Sequence, residues 1–168
     1  MSWSRRHAAL LALGLAAGCG FRPVYGDRGA DTAVRDELAA IALPGARSSL
    51  EFELRRALAA ELDPSGRGAA RRYRLDWRLA SDVEDLAIQL DAVVTRRDFT
   101  LAAAYALVDL ADGRALDRGR VQRTASFNIT DDPFNDLVAR EDAEQRAAAA
   151  VAIALRQRMV AHFERRAA

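Results

Sequence analysis

The chain has 168 residues, 51% of them hydrophobic, with 25 basic against 24 acidic side chains. That length suits one domain with an ample core, and the near-neutral balance excludes non-specific nucleic-acid binding, which needs a strong basic excess. Apart from the histidines every basic residue is arginine, a compositional bias that lowers the weight of any single arginine.

Residues 1–18 have the form of a lipoprotein signal peptide. Arg5 and Arg6 supply the positive start, Ala8 to Ala17 an apolar run, and Leu15-Ala16-Ala17-Gly18-Cys19 the cleavage and lipidation site. Ala16 stands where such signals most often carry leucine. The run is shorter than the roughly 20 residues that a bilayer span needs, which disfavours a plain transmembrane anchor. An ordinary secretory cut and a short uncleaved anchor are the rival readings. Cys19 is the one cysteine of the chain. Once acylated it leaves no thiol for a disulfide. Its diacylglyceryl and acyl groups are the expected covalent additions, with no other cofactor. After cleavage the chain carries 23 basic against 24 acidic residues, since Arg5 and Arg6 are lost.

Residues 19–34 are expected to form a lipidated tether, because Arg22-Pro23-Val24-Tyr25-Gly26 and the Gly/Asp-rich stretch to Asp31 favour irregular backbone. Residues 35–168 form a single domain. Leu38 to Leu43 is a short apolar run stopped by Pro44-Gly45, readable as a strand or as the end of a short helix. Ser48 with Glu51 makes a capping box. Leu50, Leu54, Leu58 and Leu62, with Ala57, then line one helix face up to Asp63-Pro64-Ser65-Gly66.

Arg72 to Leu79 alternates strictly, with Tyr73, Leu75, Trp77 and Leu79 on a buried side and Arg72, Arg74, Asp76 and Arg78 on a wet one. An extended stretch over 85–94 continues it after a bulge, and Arg96-Arg97-Asp98 marks a turn. Phe99 to Leu110 is apolar on both sides, which predicts a central strand covered on both faces. Asp112-Gly113 signals a hairpin. The return strand runs to Ile129, with Val121, Ala125, Phe127 and Ile129 alternating with Gln122, Thr124, Ser126 and Asn128. Asp131-Asp132-Pro133 caps and starts a last helix over Asn135–Arg165. Its apolar stripe is Ala147, Val151, Leu155, Met159 and Phe163, widened by Ala148, Ala152 and Ile153. This order builds an α+β two-layer sandwich: one mostly antiparallel four-stranded sheet with two helices packed on one face.

Little in the chain points to catalysis. His7 leaves with the signal, and His162 is the histidine that stays. No Gly-rich phosphate loop follows a strand, and no metal-ligand spacing occurs. A Ser–His nucleophile would have to recruit His162. The carboxylate pairs Asp131/Asp132 and Glu141/Asp142 are explained by capping and by a solvated helix face. A non-enzymatic protein without a metal is expected.

Cys19-Gly20-Phe21-Arg22-Pro23-Val24-Tyr25-Gly26 resembles the mature start of the LptE family of LPS-assembly lipoproteins in its alphaproteobacterial form. The helix opening at Ser48, the hairpin strands, Ser126-Phe127 leading into Asp132-Pro133-Phe134, and Arg140-Glu141-Asp142-Ala143-Glu144-Gln145 agree with that family in order. The resemblance implies an outer-membrane lipoprotein that plugs the LptD β-barrel, assists its assembly and helps deliver lipopolysaccharide to the outer leaflet. It implies LptD and lipopolysaccharide as partners, with Arg96 or Arg97 and Arg140 as the basic residues for lipid A phosphates. Guanidinium forks suit such phosphates, which they hold bidentately. The wet row Arg72, Arg74 and Arg78 reads as sheet surface or barrel contact instead. Gly20 lacks the aspartate that in enteric bacteria retains lipoproteins at the inner membrane, so the lipid anchor is expected in the outer membrane. Two other functions fit the residues: a free-standing lipid carrier, which needs an apolar cavity between sheet and helices, and a periplasmic hydrolase dependent on His162.

Overall fold

A computed structural model describes residues 29–66, 68–85, 96–129 and 132–167, with side-chain surroundings from residue 32 onward. The chain divides into two compact units after Thr32, and the second, residues 33–168, carries the sheet. The elements are α1 (Gly29–Ala39), β1 (Ile41–Ala42), α2 (Ser49–Leu62), β2 (Tyr73–Asp85), β3 (Arg96–Asp109), β4 (Ala115–Asn128) and α3 (Pro133–Ala167). The expected irregular tether therefore gives way to helix from Gly29. The ambiguous run after Leu38 is both things in turn: α1 ends at Ala39, and Ile41–Ala42 is a strand.

The sheet runs β1-β2-β3-β4. β1 is parallel to β2, with Ile41 beside Tyr73, and the other pairings are antiparallel. The short parallel pairing is reinforced by Arg71, whose guanidinium donates to the carbonyls of Ala39 at 2.7 Å and Ile41 at 3.0 Å. At the start of α2, Ser48 Oγ accepts from the Glu51 amide at 3.2 Å. The Glu51 carboxylate accepts from the Arg47 amide at 2.7 Å, one residue further back than in the standard reciprocal box. Asp132 starts α3 by accepting from the Phe134 amide at 2.9 Å, with Pro133 at the first helical position, where a missing N–H costs nothing.

Leu75, Phe99, Leu101, Ala103, Tyr105, Leu107, Val121, Ala125 and Phe127 form one buried sheet face. They share a core with Leu54, Leu58 and Leu62 of α2 and Val151, Leu155, Met159 and Phe163 of α3. Each fully buried leucine contributes about 1.5–3 kcal/mol. Ala143, Ala147, Ala148, Ala152 and Ala154 are buried on α3, and their small side chains let the helix lie close to its neighbours. Ile153 departs from the expected stripe: it is 46% exposed, because a residue flanked by two buried positions on a helix turns 100° away from each.

Two sequence expectations fail here. Arg96, Arg97 and Asp98 form no turn. They open β3, opposite Asn128, Phe127 and Ser126 of β4, and two of the three are met laterally: Arg97 Nε lies 2.6 Å from Asp85 Oδ1, and the Ser126 hydroxyl donates to Asp98. Nor is β3 covered on both sides. Its second face, with Thr100, Ala102, Ala104, Ala106 and Val108, meets no helix among the described residues; Ala104 is exposed, although Ala102 is buried. Side chains of β2 and β4 shade these small residues from either side: Arg74, Asp76 and Arg78 from one, Arg118, Arg120 and Gln122 from the other. The expected strand over 85–94 lies outside the described residues beyond Asp85, which ends β2.

Candidate functional site

The sequence-derived basic residues gather at one end of the sheet. β3 begins there and β4 ends there, and α3 starts five residues after β4. Arg146 fixes the height of the helix: its Nη2 donates to the Ser126 carbonyl at 2.9 Å while its Nε holds Asp142 Oδ2 at 2.7 Å. The thirteen residues before it rise about 20 Å, whereas β4 continues only two residues past Ser126, about 7 Å. The first turns of α3 therefore overhang the end of β4. No residue of α3 before Ala143 is buried.

Arg140 sits on this overhang, with Nε 3.0 Å from Glu144 Oε1. Arg97 is held by Asp85, and Arg96 is exposed and free of ion pairs among the described residues. The carboxylate partners are themselves solvent-accessible, so each pair is worth at most about 1 kcal/mol and is readily exchanged for a stronger anion. Beside the arginines, Phe134, Leu137 and Val138 occupy one helical face at 70%, 54% and 48% exposure. Spacings of three and four residues make them a single apolar patch. From sequence, Phe134 entered only within Asp132-Pro133-Phe134, and Leu137 and Val138 lie ahead of the apolar stripe that starts at Ala147. Their exposure comes from the overhang, which only the relative heights of helix and sheet reveal.

The wet row on β2 behaves as sheet surface. Arg72 Nη2 reaches Glu37 Oε2 at 2.7 Å and lies over the Tyr73 ring at 5.5 Å, and Arg74 Nε pairs with Asp76 Oδ1 at 2.9 Å. His162 has a buried Nε2 with no hydrogen-bond partner, and its ring meets Phe163 edge-on at 5.3 Å. No Ser–His pair is assembled around it among the described residues. Among those residues there is also no acidic, histidine or cysteine cluster able to hold a metal, and no helix long and apolar enough to cross a membrane. Cys19 lies outside the described residues.

Two adjoining clefts, of about 150 and 370 Å³, lie between β4 and the second half of α3. Arginines dominate their lining. Sequence reading passed over them because each arginine, taken alone, was unremarkable in so arginine-rich a chain.

No protein-family model matches the chain, and no curated protein matches it. Solved structures do. A protein of Caulobacter crescentus assigned as a lipoprotein superposes with a TM-score of 0.63 at 22% identity, over 77% of this chain and 95% of that one. Rare lipoprotein B of Shewanella oneidensis gives 0.52 at 13% identity, over 76% and 97%. A minor lipoprotein of Acinetobacter baumannii gives 0.51 at 16%, over 73% and 90%. At these identities the likeness is one of fold: the chain has the α+β sandwich found in these three lipoproteins.

Proposed function

We propose that the protein is a non-enzymatic outer-membrane lipoprotein, anchored through acylated Cys19, that plugs and assists assembly of the LptD β-barrel and helps deliver lipopolysaccharide to the outer leaflet. The observation that carries this reading is the join of the Cys19–Gly26 motif to a fold shared with three lipoproteins. A filled interior supports a plug over a lipid carrier, since a carrier needs an apolar chamber where Leu54, Leu58, Phe99, Leu101 and Leu155 stand packed. The uncovered face of the sheet, small in the middle and charged at its borders, suits a polar barrel lumen. At the overhang, arginines for phosphate and an apolar patch for acyl chains lie side by side, matching the two halves of a phosphorylated lipid.

Depletion of the protein in its own bacterium tests this reading. Folded LptD and surface-exposed lipopolysaccharide should both fall; normal levels of both would overturn it.

A further inference from the structure

β4 ends the sheet, and among the described residues its outer edge has no strand partner. The two clefts beside it share Arg120 and Arg158 and so form one continuous groove. Consecutive β4 residues from Asp117 to Arg123 line it. Neighbouring residues of a strand point to opposite faces, so a groove lined by all of them follows the backbone edge and not one face of the sheet. Its length on β4 is about 20 Å, the span of six residue steps in a strand. This is the shape of an extended chain.

The charge is one-sided. Arg118, Arg120 and Arg123 come from the strand, and Arg158 and Arg165 from α3. All five are exposed, and among the described residues none forms an ion pair with a carboxylate. The one carboxylate in the lining, Asp117, accepts from the Tyr105 hydroxyl at 3.0 Å and offsets one of the five positive charges. Such a row repels a second copy of itself, so edge-to-edge pairing of two β4 strands is disfavoured. It attracts an acidic chain. We propose that the free edge of β4 docks an extended acidic segment of another protein, which adds to the sheet as a fifth strand, its carboxylates on one face held by Arg118 and Arg120 and those on the other by Arg158 and Arg165. The groove lies away from Arg96: Tyr105 stands nine residues along β3, about 30 Å. The inference is independent of the lipopolysaccharide reading.

The test uses the full chain in non-ionic detergent and a fluorescein-labelled eight-residue peptide of two Glu-Glu-Val-Val repeats, which presents carboxylates on both faces of an extended strand. Anisotropy should report binding that weakens at least tenfold in the Arg120→Gln/Arg158→Gln variant and is unchanged in Arg56→Gln. Raising salt from 50 to 500 mM should weaken it through screening. A peptide of the same sequence with alternate backbone nitrogens methylated should lose most of the affinity. Hydrogen exchange on the unmodified protein should show backbone protection gained over 118–123. Absence of binding would overturn the proposal and leave the arginines as guards of a bare edge. So would equal affinity for the methylated peptide, which would mean charge attraction without strand addition.

Discussion

The ring of Tyr105 lies against the bare Cα of Gly119, so closely that a β-carbon on residue 119 would stand 2.9 Å from the tyrosine hydroxyl and 3.0 Å from the ring edge. The two residues face each other across β3 and β4. The glycine lets the ring lie flat, and the ring in turn reaches Asp117. Gly119→Val should push the ring aside, break the Tyr105–Asp117 hydrogen bond and cost about 1–3 kcal/mol, the usual range for overpacking. Urea denaturation checks this, and combining it with Tyr105→Ala should cost less than the sum of the two single changes.

Alkaline pH should destabilise the fold through two tyrosines. Burial, aided by the acceptor Asp117, raises Tyr105 above its ordinary value of 10.0, and burial with Glu37 beside it does the same for Tyr73. Raised values mean that the folded state keeps protons which the unfolded chain has released. Their contribution is complete below pH 10 and is lost as pH rises through the folded-state values. Thermal melts between pH 8 and pH 11.5 should show the decline beginning near pH 10, and Tyr73→Phe/Tyr105→Phe should flatten it.

Leu58 sits in the seam between α2 and the rest of the core and is fully buried. Leu58→Ala should cost about 2–5 kcal/mol, the usual range for truncating a fully buried leucine. Chemical denaturation measures the loss; Leu50, half-buried on the same helix, should cost less when truncated.

Much of this architecture was legible in the chain. The alternation from Tyr73 to Leu79, the capping pair Ser48 and Glu51, and Asp132-Pro133 each encode a local geometry that tertiary packing left in place. What failed were features set by neighbours. Arg96–Asp98 looked like a turn because three charges in a row suit solvent. In the structure Asp85 and Ser126 stand beside them across the sheet and allow a strand. The run of alanines on β3 promised cover on both faces, yet alanine is small enough to be shaded by flanking arginines without a helix above it. In the candidate site, Arg96, Arg97 and Arg140 came from family resemblance. The patch of Phe134, Leu137 and Val138 depends on how far α3 projects past β4, a distance that no local pattern records.

That patch separates function from folding. Phe134, Leu137 and Val138 bury little surface within the chain, so replacing all three by serine should change stability by about 0.5 kcal/mol or less per site. If the overhang engages partners as proposed, the same variant should recover less LptD and less lipopolysaccharide from membranes. A stable variant with undiminished recovery would remove the patch from the candidate site.

The most direct test of the central claim is affinity purification of the full-length, lipidated protein from detergent-solubilised outer membranes, with the partner quantified against it. The account predicts the LptD barrel in a one-to-one complex that withstands high salt, as a plug buried in its lumen should. Recovery of the lipoprotein without the barrel, under conditions where both are present and folded, would contradict it.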